Sequence, residues 1–85
     1  MDAEEIYRLI KQQPFQPFRV HVSDGTKYDI LHPDRILIGK RALHVGVGGV
    51  DSGPAQKIEI VANIHVTRIT PLSIDQTSRS RREAG

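Results

Sequence analysis

The sequence predicts a mainly β domain with one N-terminal helix, its five strands forming a bent antiparallel sheet that curls toward a small barrel. Three observations carry this. Apolar residues recur at helical spacing only within the first 13 positions. From Phe18 onward they alternate in runs of four to seven residues. Turn signals built from Gly, Pro and Asp-Gly separate those runs at the short intervals typical of all-β domains.

The helix spans residues 3–13. Asp2 followed three positions later by Glu5 is a capping-box spacing, and Asp2, Glu4 and Glu5 suit the positive end of the helix dipole. Ala3, Ile6, Leu9 and Ile10 form one apolar stripe, with Glu4 and Arg8 paired one turn apart on the opposite side. Pro14 ends it, because proline donates no hydrogen bond and expels the preceding residue from the α region.

The first strand follows, with Phe18, Val20 and Val22 facing one way and Arg19 and His21 the other. Ser23-Asp24-Gly25-Thr26 is the strongest local signal in the chain, and Asp-Gly at the centre of a two-residue loop predicts a type I′ hairpin. The return strand covers residues 27–32, with Tyr28 and Ile30 on one face, and Pro33 stops it. Ile36-Leu37-Ile38 is too short to type by periodicity. Gly39-Lys40-Arg41 reads as a turn before Ala42 to Val47, where Leu43, Val45 and Val47 alternate with His44 and Gly46. Residues 48–54 are a loop by composition. Alternation resumes over Lys57 to Ala62, and Ile64 to Thr70 forms the last strand.

These last two strands break the one-sided pattern. Ile58, Ile60, Ala62 and Ile64 share a parity that Val61 and Ile69 do not, and Val66 competes with Ile69. Either a bulge resets the register or both faces are covered, the second by another copy of the chain. Ile58, Ile60, Val61, Ile64, Val66 and Ile69 are therefore the candidate self-association residues.

Composition sets the bounds. At 85 residues the chain holds one domain, residues 1–74, followed by an Arg-containing tail at 75–85 that reads as disordered. Leu, Ile, Val and Phe number 24, enough to drive folding. A core this small yields only about 3–5 kcal/mol, and a chain without cysteine has no disulfide to supplement it, which makes a homo-oligomer the expected supplement. The absence of cysteine points to a reducing, cytoplasmic setting. No apolar run approaches the ~20 residues a bilayer span needs, so no membrane association is expected.

The net charge of +2 resides in the tail, where Arg79, Arg81 and Arg82 stand against Glu83; residues 1–75 carry nine basic and nine acidic side chains. Phosphate binding needs a basic footprint. The candidate nucleic-acid contacts are those three arginines together with His21, His44, His65 and Arg68. The histidines show neither HxH nor HExxH spacing, so no metal is expected. His32 before Pro33 reads as a structural cap of the turn through its imidazole. His21-Val22-Ser23-Asp24 has the letters of a triad, but the hairpin accounts for Ser23 and Asp24. Gly46-Val47-Gly48-Gly49 lacks the Lys-Ser/Thr and the helix start of a phosphate loop. No cofactor and no enzymatic activity are expected. Phe15 and Phe18, flanking Pro17, read as anchors for the helix.

One helix, an Asp-Gly hairpin and three more strands give the element order of the Sm-like barrels, including the bacterial Sm-like RNA chaperones. Val22-Ser23-Asp24-Gly25 resembles the turn of their first motif, and His65-Val66-Thr67 resembles the His-bearing second motif. The likeness covers roughly residues 3–70 and implies an Sm- or SH3-like barrel, a ring of identical subunits and RNA as ligand. A second resemblance is to a group of short uncharacterised bacterial proteins sharing a PFxPF…DG…HP framework. It rests on residues 14–20 (PFQPFRV), Asp24-Gly25, His32-Pro33, Ala42 to Val47 and His65 to Ile69, and implies no chemistry. The function expected is that of a small binding module, an oligomeric RNA binder or an adaptor for another protein.

Overall fold

A computed structural model describes residues 1–49 and 53–72; the tail and its three arginines lie outside them. The helix α1 spans Ala3–Lys11. Six strands follow: β1 Phe18–Val22, β2 Lys27–Ile30, β3 Ile36–Ile38, β4 Ala42–Val47, β5 Lys57–Ala62 and β6 Val66–Pro71. Two short 3-10 helices interrupt them, η1 at Pro33–Arg35 and η2 at Asn63–His65.

The strands form two antiparallel sheets of three, ordered β2-β1-β6 and β3-β4-β5. This corrects the expected five-stranded barrel, since the two sheets do not close into one. Residues 36–38 become a sixth strand because β4 pairs with them, Ile36 opposite Val45 and Ile38 opposite Leu43. Three residues carry no readable period of their own, so only the partner reveals them. One core joins the sheets. Phe18, Val20 and Ile30 from the first meet Ile36, Leu43, Val45 and Val61 from the second, with Ile6 of the helix and Val66.

Helix α1 starts as expected, with the Asp2 carboxylate accepting from the Glu4 amide at 3.2 Å, and buries Ile6. It stops at Lys11 rather than residue 13, with Gln12 already extended. A ring at Pro14 clashes with the carbonyl four residues back, so the helix must end before the residue preceding the proline. Phe15 and Phe18 pack with ring centroids 5.9 Å apart. Phe18 is buried and Phe15 partly so against the same core.

The hairpin differs from the type I′ expectation. The Val22 amide donates to Thr26 O, and the Gly25 amide to Val22 O, each at 2.9 Å, so the loop has three residues. Ser23 and Asp24 keep negative φ, and only Gly25 is positive, at 91°. This is a type I turn followed by a glycine bulge. The alternation of the flanking strands explains the choice. A three-residue loop sets Val20 opposite Tyr28, both on the core side, and His21 opposite Lys27. A two-residue loop would set Val20 against Asp29 and place a carboxylate on the core face. A Cβ on Gly25 would meet nothing within 4 Å, so the glycine is required by its dihedral angle alone. Gly25→Ala is expected to cost about 1–2 kcal/mol, read as a lower urea midpoint at unchanged slope.

Two other boundaries move. β2 ends at Ile30 rather than His32, because the Arg35 amide donates to His32 O at 3.1 Å and turns the chain into η1. His32 thus caps through its backbone carbonyl, and its imidazole makes no capping bond. The last strand begins at Val66, not Ile64, because η2 intervenes. That turn resolves the conflicting parities. It resets the phase between Val61 and Val66, which both point inward, and leaves Ile58, Ile60 and Ile64 outside. A further irregularity between His21 and Val22 adjusts the β1–β6 pairing.

Candidate functional site

The two sheets present outer faces of opposite chemical character. On β3-β4-β5 the register sets Leu37 beside His44 and His44 beside Ile60, with Ile58 opposite Gly46. Leu37, Ile58 and Ile60 are 69%, 58% and 67% exposed, large values for aliphatic side chains in strands. Ile64 on the adjoining η2 is 83% exposed. Gly46 is covered rather than bare, because a Cβ there would come within 2.9 Å of the Ala55 Cβ and 3.5 Å of the Arg35 Cδ.

On β2-β1-β6 the outer face is polar and basic. One cross-strand row reads Lys27, His21, Arg68, and the next reads Asp29, Arg19, Thr70. Three cations face one carboxylate, a net +2 on a face of a body whose residues 1–75 balance to zero. The carboxylate is occupied. Arg19 Nε and Nη2 donate to Asp29 Oδ1 and Oδ2 at 2.6 and 3.1 Å, a bidentate pair that raises the guanidinium pKa chiefly through its hydrogen bond. The His21 Nε2 lies 3.1 Å from Thr70 Oγ1. Desolvation first, then the charges of Arg68, Lys27 and Arg19, lower the His21 pKa.

The residues singled out in the sequence therefore divide. His21 and Arg68 stand side by side, while His44 lies on the other sheet, within the apolar face. His65 is exposed on η2, where its Nδ1 is 3.3 Å from Ser23 Oγ and its carbonyl accepts from the Ser23 amide at 2.8 Å. These bonds tie η2 to the hairpin. Asp24 belongs to the turn itself. Its carboxylate accepts from the Thr26 amide at 2.9 Å, and that bond is the main reason its pKa is lowered. Of the six candidate self-association residues, Val61 and Val66 are core residues, because η2 turns them inward, and Ile69 is half-buried against that core. Only Ile58, Ile60 and Ile64 are accessible.

Sequence reading missed Lys27 and Leu37 as members of these faces. Lys27 joins His21 only once the loop is known to have three residues. Leu37 joins Ile60 only through β4, and the two share no local pattern.

A groove of about 370 Å3 between α1 and the β3–β4 turn is lined by Tyr7, Ile38 and Gly39 together with Glu4, Arg8 and Lys40, exposed side chains of mixed charge. Among the described residues no three His, Asp or Glu side chains group closely enough to hold a metal ion, and no helix is long and apolar enough to cross a membrane. No family model, curated protein or solved structure matches the chain.

Proposed function

We propose that this chain is a non-enzymatic binding module that associates with copies of itself through the apolar sheet and binds RNA phosphates with the basic one. The observation that supports this reading is the segregation of the two outer faces. Leu37, Ile58 and Ile60 gather on β3-β4-β5, and Lys27, His21 and Arg68 on β2-β1-β6. A small domain gains from setting isoleucines of this sheet against those of a second copy, at roughly 25 cal/mol per Å2 of apolar surface removed from water. The second needs an anion, and phosphate binding by a basic surface is independent of base sequence. The tail arginines add to the same charge.

The test is a salt titration of binding to a labelled single-stranded RNA, using the full chain. The slope of log K against log salt is expected to flatten by about 0.7 for each phosphate left without a neutralising cation, and Lys27→Ala combined with Arg68→Ala should flatten it by about twice that. Binding that survives both substitutions and vanishes only when residues 76–85 are deleted would overturn the role of the sheet. A chain that binds no RNA but still self-associates through the apolar sheet favours the alternative, an adaptor for another protein.

A further inference from the structure

Among the described residues four strand edges are open, β2 and β6 in one sheet and β3 and β5 in the other. Three are protected in the ways natural sheets use. β2 has four residues with Lys27 and Asp29 exposed, β3 has three residues, and β6 ends on Pro71, which has no N–H to offer. β5 carries Lys57 and Glu59, which pair with each other at 3.8 Å, but it has six residues, no proline and two exposed isoleucines.

Its free hydrogen-bonding groups can be assigned. The Gly39 amide donates to Ala42 O at 2.8 Å, so Ala42 is turned toward β3, and the Asn63 amide donates to Arg41 O at 2.8 Å, so residue 63 is turned toward the preceding strand. Antiparallel alternation then directs Glu59 and Val61 to β4, and the N–H and C=O of Ile58 and Ile60 away from the sheet. A groove of about 320 Å3 is lined by Ile60, Val61 and Ala62 of this strand together with Val22, Ser23, Asp24, Tyr28 and His65.

Resting on the self-association proposed above, we infer that two copies join by antiparallel pairing of β5 with β5 of the second copy, about a two-fold axis at Ile60. A symmetric pair that overlaps three or more strand residues can keep the outward groups in phase with Ile58, Glu59, Ile60 or Val61 on the axis, Val61 overlapping only residues 60–62. Glu59 on the axis sets two carboxylates directly opposite, which is repulsive. Ile58 on the axis overlaps only residues 57–59 and sets Ile60 against Gln56. Ile60 on the axis overlaps residues 58–62, sets Ile60 against Ile60 and Ile58 against Ala62 on the outer face, and leaves no like charges opposed. The two apolar faces then run on as one six-stranded surface, and the interface is isologous, the commonest form of homodimer.

The absence of cysteine makes the test clean, because one introduced thiol reports one approach. Ile60→Cys, 67% exposed in the monomer, places its Cα about 5.5 Å from its mate, within the disulfide range. Ile58→Cys lies four residues out of register, about 14 Å from its mate, and Leu37→Cys lies about 24 Å away across five strand spacings. Under mild oxidation of the full-length chain, Ile60→Cys is expected to become mostly covalent dimer, at least tenfold more than either control. Sedimentation of the unmodified chain is expected to show a dimer, and Ile60→Lys to abolish it. A dimer in which Ile60→Cys stays silent, or cross-links no better than Ile58→Cys or Leu37→Cys, overturns the β5 edge and leaves self-association standing. A monomer at high concentration overturns both.

Discussion

Replacing Phe18 with alanine is expected to leave the domain largely unfolded at room temperature. The ring is 2% exposed on the central strand of its sheet, opposite Ile30 on one side and Pro71 on the other, and packs against Phe15. Truncating a buried phenylalanine costs about 3–5 kcal/mol, from the forfeited transfer energy and from the cavity left behind. That equals the whole of what a core of this size supplies, about 3–5 kcal/mol. Far-ultraviolet circular dichroism with urea unfolding provides the measurement, and Lys40→Ala in the exposed β3–β4 turn provides the comparison, at within about 0.5 kcal/mol of the native chain. A Phe18→Ala protein with a urea midpoint close to native would show that the core is not shared between the two sheets in the way described.

Asn63→Asp has the next largest expected effect, and it depends on pH. Asn63 is the one buried polar side chain among the described residues. Its Nδ2 donates to Lys40 O at 3.0 Å and Gly39 O at 3.4 Å, holding the β3–β4 turn against η2. Its Oδ1 has no hydrogen-bond partner among the described residues. A carboxylate in that place would face two carbonyl oxygens in a desolvated site, and an uncompensated buried charge costs about 3–5 kcal/mol. Burial and the facing carbonyls raise the folded pKa of the new acid above its unfolded value near ~3.9. A group so shifted leaves stability intact below its unfolded pKa and removes it as pH rises through the folded value. The variant should therefore approach native stability near pH 4, where a protonated carboxyl can donate to Lys40 O, and fall away toward pH 8. A destabilisation that does not change over that range would exclude this account.

Much of the fold is legible because it depends on near neighbours. Asp2 and Glu5 mark where α1 begins, and Pro14 where it must have ended. The alternation of Phe18, Val20 and Val22 assigns the core face of β1, and Asp24-Gly25 locates its turn. The loop type was not legible from Asp-Gly alone, although the parity of Val20 and Tyr28 already favours three residues over two. The binding faces are less visible still. Ile58 and Ile60 share the period of a core face and nevertheless lie outside, because alternation reports that a strand has two sides without reporting which one is buried.

By itself, then, the sequence determined the single mainly β domain, the helix with its inward stripe, the positions of the hairpin and of most strands, and the neutral body with its basic tail. Tertiary structure decided that Ile36–Ile38 is a strand, that the strands divide into two open sheets, and that Val61 and Val66 rather than Ile58 and Ile60 complete the core. It also aligned Lys27, His21 and Arg68 in one row. The physical reason is the range of the forces involved. Caps, prolines and alternation act over a few residues, whereas the buried side of β5 is set by its pairing with β4 and by the phase shift at η2, which no window on the chain contains.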